Sequence, residues 1–197
     1  MDDKNLFEVM HAAKVFTMED LEILCSKQFQ TRLSYRNFGM LFSQAVQFDV
    51  KEVIKTGQEY FKNYHRYILN DKQHFLDITY EGLLAVCNIE NNNCNARQLF
   101  MVCLDWAKQE CKKRDYIDMA KNHRLVLKDI LRNTHFPKMG RDDFVDYVVP
   151  SDILSEQEIG RIVTGWKKGV KSPWIDQDVS VDKPIKVTVD TICISYK

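Results

Sequence analysis

Residues 95–114, NARQLFMVCLDWAKQECKKR, decide the fold. Leu99, Val102, Cys103 and Trp106 recur at the i, i+3, i+4, i+7 spacing that gathers side chains on one face of an α-helix, and Phe100 and Leu104 widen the stripe. Asn95 followed three residues later by Gln98 resembles a capping box, in which a short polar side chain accepts from an amide that the first turn leaves without a partner. At the other end Lys108, Lys112, Lys113 and Arg114 put positive charge where the helix dipole favours it. The spacing predicts a central helix sunk into a helical domain, so the flanking stretches must supply the partner faces.

Upstream, Leu6, Val9, Met10 and Ala13 predict a helix over 5–15, and Met18, Leu21, Leu24, Cys25 and Phe29 predict a second to about Leu33, with Thr17 and Asp20 as its cap. Neither amphipathic helix can bury its stripe alone. Ser34 is the expected cap of a third helix carrying Phe38, Leu41, Phe42 and Ala45. Asp49 is the expected cap of a fourth, with Val50, Val53, Ile54, Gly57, Phe61, Tyr64 and Ile68; the short connection implies antiparallel packing. Tyr60, Phe61, Tyr64 and Tyr67 lie among Lys55, Lys62, His65 and Arg66, which reads either as a base-stacking strip or as an aromatic core face beside solvated cations. Balanced charge favours the core face. A short helix over 80–87 and a loop built on the asparagines of 89–95 lead into the central helix.

Downstream, Leu125, Val126, Ile130 and Leu131 predict a helix ending near His135, because Pro137 disfavours helical geometry before it. Asp142 to Val148 suggests a short helix closed by Pro150, and Ser155 with Glu158 is a capping box for a helix carrying Ile159, Ile162, Val163 and Trp166. After Gly169 the pattern changes to alternation: Val179, Val181, Ile185, Val187 and Val189, then Ile192, Ile194 and Tyr196, predict one or two β-strands.

Composition narrows function by exclusion. Lys+Arg and Asp+Glu are both 28 in 197 residues, so no net field favours nucleic acid or an anionic membrane, and no apolar run approaches a membrane span. Six cysteines lack a CxxC pair; Cys87 and Cys94 are seven apart, Cys103 and Cys111 eight, which argues against a zinc site and for reduced thiols in a cytoplasmic or nuclear protein. No glycine-rich phosphate loop, GxSxG or HExxH is present, and the carboxylate pairs fall at helix starts, where capping explains them. Neither a catalytic residue, a cofactor nor a metal is expected; a binding or scaffolding protein is.

The order L-F-x-x-x-L-x-W-A-x-x-E-C-x-x-R within 97–114, N-x-R-x-V-L from Asn122 to Leu127, and H-F-P-K-M from His135 to Met139 resemble the BACK domain of BTB proteins. G-R-D-D-F through D-I-L-S-E-Q-E-I is similar to the end of that domain in the subgroup with a C-terminal PHR β-sandwich, and 9–29 resembles the closing helical hairpin of a BTB domain. The resemblance covers roughly residues 34 to 168. It implies a mainly α fold of stacked antiparallel helix pairs with a short β tail: residues 1–33 as the last BTB helices, 34–169 as 3-box and BACK domain, and 170–197 as a linker and the opening of a PHR-like domain. By resemblance, the structural core holds Leu99, Val102, Cys103, Trp106, Phe136 and Pro137. In relatives the BTB and 3-box helices bind the N-terminal region of cullin-3, and a C-terminal domain recruits a protein substrate for ubiquitination. The resemblance therefore implies a ubiquitin-ligase adaptor whose 3-box groove is lined by Phe38, Leu41, Phe42 and Ala45; the other reading is a non-ligase or transcription-linked scaffold. The rest of a BTB core would precede Met1, making the chain a fragment, a truncated product or a reduced paralogue. Leu6, Val9, Met10, Leu21 and Leu24 are then expected to form an exposed patch that favours self-association.

Overall fold

A computed structural model of the chain describes residues 3–90, 93–134, 136–168 and 184–185. The fold is mainly α. Eleven α-helices occur among the described residues, grouped in two compact units, Met1–Cys94 and Asn95–Lys197. His135 and nearly all of the expected β tail lie outside the described residues.

The first unit holds α1 (Asp3–Val15), α2 (Glu19–Arg32), α3 (Phe38–Gln47), α4 (Lys51–Asn70), the single turn α5 (Lys72–Phe75) and α6 (Tyr80–Cys87). Its hub is α3, which packs on α1, α4, α5 and α6. Such crowding requires small side chains at the crossings. A Cβ on Gly57 would stand 2.5 Å from the Phe42 ring, and one on Gly82 would stand 2.8 Å from Ser43 Oγ. The buried Ser43 hydroxyl donates to the Gly39 carbonyl at 2.7 Å and accepts from the Thr79 amide at 2.8 Å, tying α3 to the residue that caps α6. The stripe of α1 and α2 is covered in part: Leu6, Phe7, Met10, Ala13, Cys25 and Phe29 are buried, with Phe7 edge-on to Phe29 at 5.9 Å and stacked on Phe48 at 6.0 Å.

Three expected caps are replaced by neighbours. Thr17 and Asp49 take left-handed backbone, φ 52° and 49°, so α2 and α4 start instead after Met18 and Val50, neither of which makes a side-chain cap. Ser34 does not cap α3. Asn37 stands at that position, and its Oδ1 accepts from the Ser34 amide and hydroxyl at 2.7 and 2.9 Å, folding the approach to the helix.

The second unit is built on α7 (Ala96–Lys113), the helix of the opening stretch, with α8 (Ala120–Leu127), α9 (Asp129–Asn133), the short α10 (Arg141–Asp143) and α11 (Glu156–Lys168). Asn95 Oδ1 accepts from the Gln98 amide at 3.1 Å, the cap expected from the sequence. Leu99, Phe100, Val102, Cys103, Leu104, Trp106, Ala107 and Cys111 are buried along α7. The helix expected to run through to His135 is interrupted at Lys128, φ 41°, which separates α8 from α9. After α10 the chain makes a π turn over Phe144–Val148 and a 3-10 turn over Val149–Ser151 that holds Pro150. T-shaped ring pairs run Phe100–Phe136–Phe144–Trp166, with centroids 5.8, 5.9 and 5.0 Å apart, and form the unit's aromatic spine. Pro137 lies in the 3-10 turn Phe136–Lys138.

Candidate interaction surface

Phe38, Leu41, Phe42 and Ala45 are fully buried. Phe38 stacks on Phe42 at 5.1 Å and on Phe75 at 6.4 Å, and Phe61 tilts against it at 5.7 Å. Because α3 is sandwiched by several helices, its apolar stripe faces the interior, and none of the four lines an open groove in this conformation. Helical periodicity identifies an apolar face; it does not say whether that face is covered by this chain or by a partner.

The neighbouring stripe of α4 lies outside. Tyr60, Tyr64 and Tyr67 follow i, i+4, i+7 spacing one position behind the core residues Phe61 and Ile68, so the helix turns them to the rim. The expected aromatic core face is therefore divided: Phe61 is buried, Tyr60 is half-buried, and Tyr64 and Tyr67 are exposed, Tyr67 by 65%. The rings cluster. Tyr60 and Tyr64 are 4.5 Å apart, Tyr35 from the loop before α3 stands 6.3 Å from Tyr67, and the Arg36 guanidinium lies 5.6 Å over the Tyr35 ring. Burial and the adjacent Tyr64 raise the Tyr60 phenol above its ordinary value, while a hydrogen bond with the Tyr35 backbone opposes the rise. Four tyrosines and an arginine, with apolar ring faces and polar tips, have the composition that dominates protein–protein hot spots. The spacing of the tyrosines was visible in the sequence; Tyr35, which closes the cluster from a loop, was not.

A second exposed apolar set lies where α1 meets α2. Of the residues expected to form a patch, Leu6 and Met10 are buried, Val9 and Leu21 are half-buried, and Leu24 is 54% exposed. The exposed apolar residues of this hairpin are Leu24 with Ile23, Val15, Phe16 and Met18, Phe16 being 71% exposed. The interior face is occupied because Phe29 and Phe48 close over Phe7.

In the second unit, two polar residues of the N-x-R-x-V-L run and one of the following capping box join separated segments. Arg124 donates to the Ile153 carbonyl at 2.7 Å and makes a two-pronged pair with Glu158, at 2.9 and 2.8 Å. Glu158, fully buried, also accepts from the Ser155 amide and hydroxyl at 2.8 and 3.0 Å, and the Ser155 hydroxyl accepts from the Glu158 amide at 3.3 Å. Asn122, also fully buried, bonds to the backbone of Ile117 and Ile185. His123 bonds to Asp118 at 2.6 Å. Among the described residues no three His, Cys, Asp or Glu side chains are grouped so as to hold a metal ion, and no helix is long and apolar enough to cross a membrane.

The chain matches no family model and no solved structure. Among curated proteins it is 27% identical over 164 residues to BTB/POZ domain-containing protein 3 of Homo sapiens, covering 83% of this chain and 31% of that protein. It is 26% identical over 176 residues to BTB/POZ domain-containing protein 6 of Mus musculus, covering 89% and 32%, and 26% identical over 158 residues to BTB/POZ domain-containing protein 6-B of Danio rerio, covering 80% and 33%. The chain thus spans about a third of the length of these relatives. In sequence along most of its length, and with a mainly helical fold, it is similar to BTB/POZ domain-containing proteins.

Proposed function

We propose that this chain is a protein-interaction module of the BTB/POZ kind, and more finely an adaptor that joins a cullin-3 RING ubiquitin ligase to a protein substrate in the cytoplasm or nucleus. The observation that carries the reading is the tyrosine cluster at α4, where Tyr60, Tyr64 and Tyr67 meet Tyr35 and Arg36 of the loop before α3, at the helix pair that the resemblance equates with the 3-box. In this reading, cullin-3 docks on Tyr35, Tyr64 and Tyr67, while the buried Phe38, Leu41, Phe42 and Ala45 hold α3 and α4 in register beneath them. The domain divisions of 1–33, 34–169 and 170–197 belong to the same proposal, as does self-association through Phe16, Met18, Ile23 and Leu24.

The test is calorimetric titration of the chain with the N-terminal region of cullin-3. Binding is expected, weakened about tenfold or more by the pair Tyr64→Ala and Tyr67→Ala, as two hot-spot truncations imply. Absence of binding by this chain and by a version carrying a BTB core ahead of it removes the adaptor reading. Recovery of protein partners without cullin or ubiquitin components would favour the non-ligase scaffold.

A further inference from the structure

Asn122 is fully buried, and two of its three bonds reach a residue far along the chain. Its Nδ2 donates to the carbonyls of Ile117 and Ile185, both at 2.8 Å, and its Oδ1 accepts from the Ile185 amide at 3.0 Å. The Ile117 amide donates to the same Ile185 carbonyl at 2.9 Å. Both main-chain groups of Ile185 are therefore read, while the residue as a whole stays 38% exposed. This is the chemistry of strand addition, which recognises the direction and extension of a backbone and asks little of its side chains. Two sequence requirements remain. The paired residue must keep its N–H, which excludes proline there, whereas the preceding Pro184 fixes φ and lowers the entropy lost on docking. Tyr116, beside Ile117, also lines a cavity of about 540 Å³ with Lys108, Lys112, Asp115 and Asp118. Emptying the slot would take from Asn122 Oδ1 the Ile185 amide that donates to it, so an occupant that supplies an N–H is favoured.

We propose that Ile117 and Asn122 form a docking slot for the main chain of an extended peptide of a partner protein carrying a proline–aliphatic pair, and that this chain's own Pro184–Ile185 fills it in cis. The tethered segment competes at an effective concentration in the millimolar range. A partner enters only by displacing it, so the segment sets the threshold for binding in trans.

The test uses the full chain and a fluorescein-labelled peptide with the sequence of residues 181–189, VDKPIKVTV, followed by fluorescence anisotropy. Ile185→Pro deletes the amide that Asn122 accepts from, one of the three bonds that hold the segment, which loosens its hold on the slot. The I185P chain is expected to bind the peptide about tenfold more tightly than the unmodified chain, and Asn122→Ala in the I185P chain is expected to abolish that gain. A peptide with proline in place of its isoleucine should not bind. Exchange of the Ile117 amide supplies a readout that needs no change at Asn122: slow in the unmodified chain, faster in I185P, slow again when peptide is added. Equal peptide affinity of the unmodified and I185P chains, or an Ile117 amide whose exchange is unaffected by either change, overturns the proposal.

Discussion

Replacing Gly57 by alanine sets two known effects against each other. An alanine in a helix interior is favoured over glycine by about 1 kcal/mol, so at an open position the change would stabilise α4. Gly57 is not open. The added Cβ would stand 2.5 and 2.8 Å from two carbons of the Phe42 ring, roughly an ångström inside ordinary carbon–carbon contact. Phe42 has nowhere to retreat, being fully buried and stacked on Phe38 at 5.1 Å. Overpacking of this kind costs about 1 to 3 kcal/mol, and the rigidity of the ring puts Gly57 at the upper end. Net destabilisation of about 2 kcal/mol is expected, seen as a lower urea midpoint with an unchanged slope. Phe42→Leu should partly rescue Gly57→Ala, because the smaller side chain vacates the ring's edge; the double-mutant cycle then shows favourable coupling. A more stable Gly57→Ala chain, or strict additivity, would refute the packing of α3 against α4.

Further outcomes follow from other sites. Trp106→Ala should cost about 3 to 5 kcal/mol in denaturant titration, since the side chain is 1% exposed; a loss below about 1 kcal/mol would make Trp106 peripheral. Glu158→Ala should cost about 3 to 5 kcal/mol by leaving Arg124 without its two-pronged partner, while the joint change of Arg124→Met and Glu158→Leu recovers most of it; an equally unstable double variant would show that packing, not charge, fails. The Cys94 thiol is pushed up to about 12 by burial and the nearby Cys87, so its alkylation at pH 8 should be about a thousandfold slower than that of an ordinary cysteine and still rising at pH 10. The folded state favours the neutral thiol, so stability from Cys94 is complete below about pH 9 and lost as pH rises towards 12.

Much of the helical order could be read from spacing, because an amphipathic stripe declares its period whatever covers it. Asn95 with Gln98 and Ser155 with Glu158 also mark helix starts correctly, since in both the polar side chain meets the amide three residues on. Thr17 and Asp49 carry the same residue chemistry but occupy left-handed backbone, and capping depends on backbone geometry that composition does not encode. The surface was harder to read than the fold. Tyr64 and Phe61 are three residues apart with similar rings, yet one is exposed and the other buried, a distinction that arises from where α3 lies against α4. Asn122, Arg124 and Glu158 stood in quoted motifs, but the bonds by which they join separated segments reach 29 to 63 residues along the chain, and no local pattern names so distant a partner.

The residues with positive φ carry a consequence for cooperativity. Thr17, Asp49, Asn93, Asp115, Lys128 and Asp152 have positive φ, whereas Gly39, Gly57, Gly82, Gly140 and Gly160 do not. Asp and Asn visit that region more readily; Thr17, β-branched and with its hydroxyl donating to the Phe16 carbonyl at 2.8 Å, and Lys128 incur about 1 to 2 kcal/mol each. The breaks after α1 and between α8 and α9 are thus imposed against local preference by the surrounding packing. A peptide cut from either region would lose its punctuation: the stop exists only in the assembled unit, so the ends of these helices and the cores they frame must form and melt together.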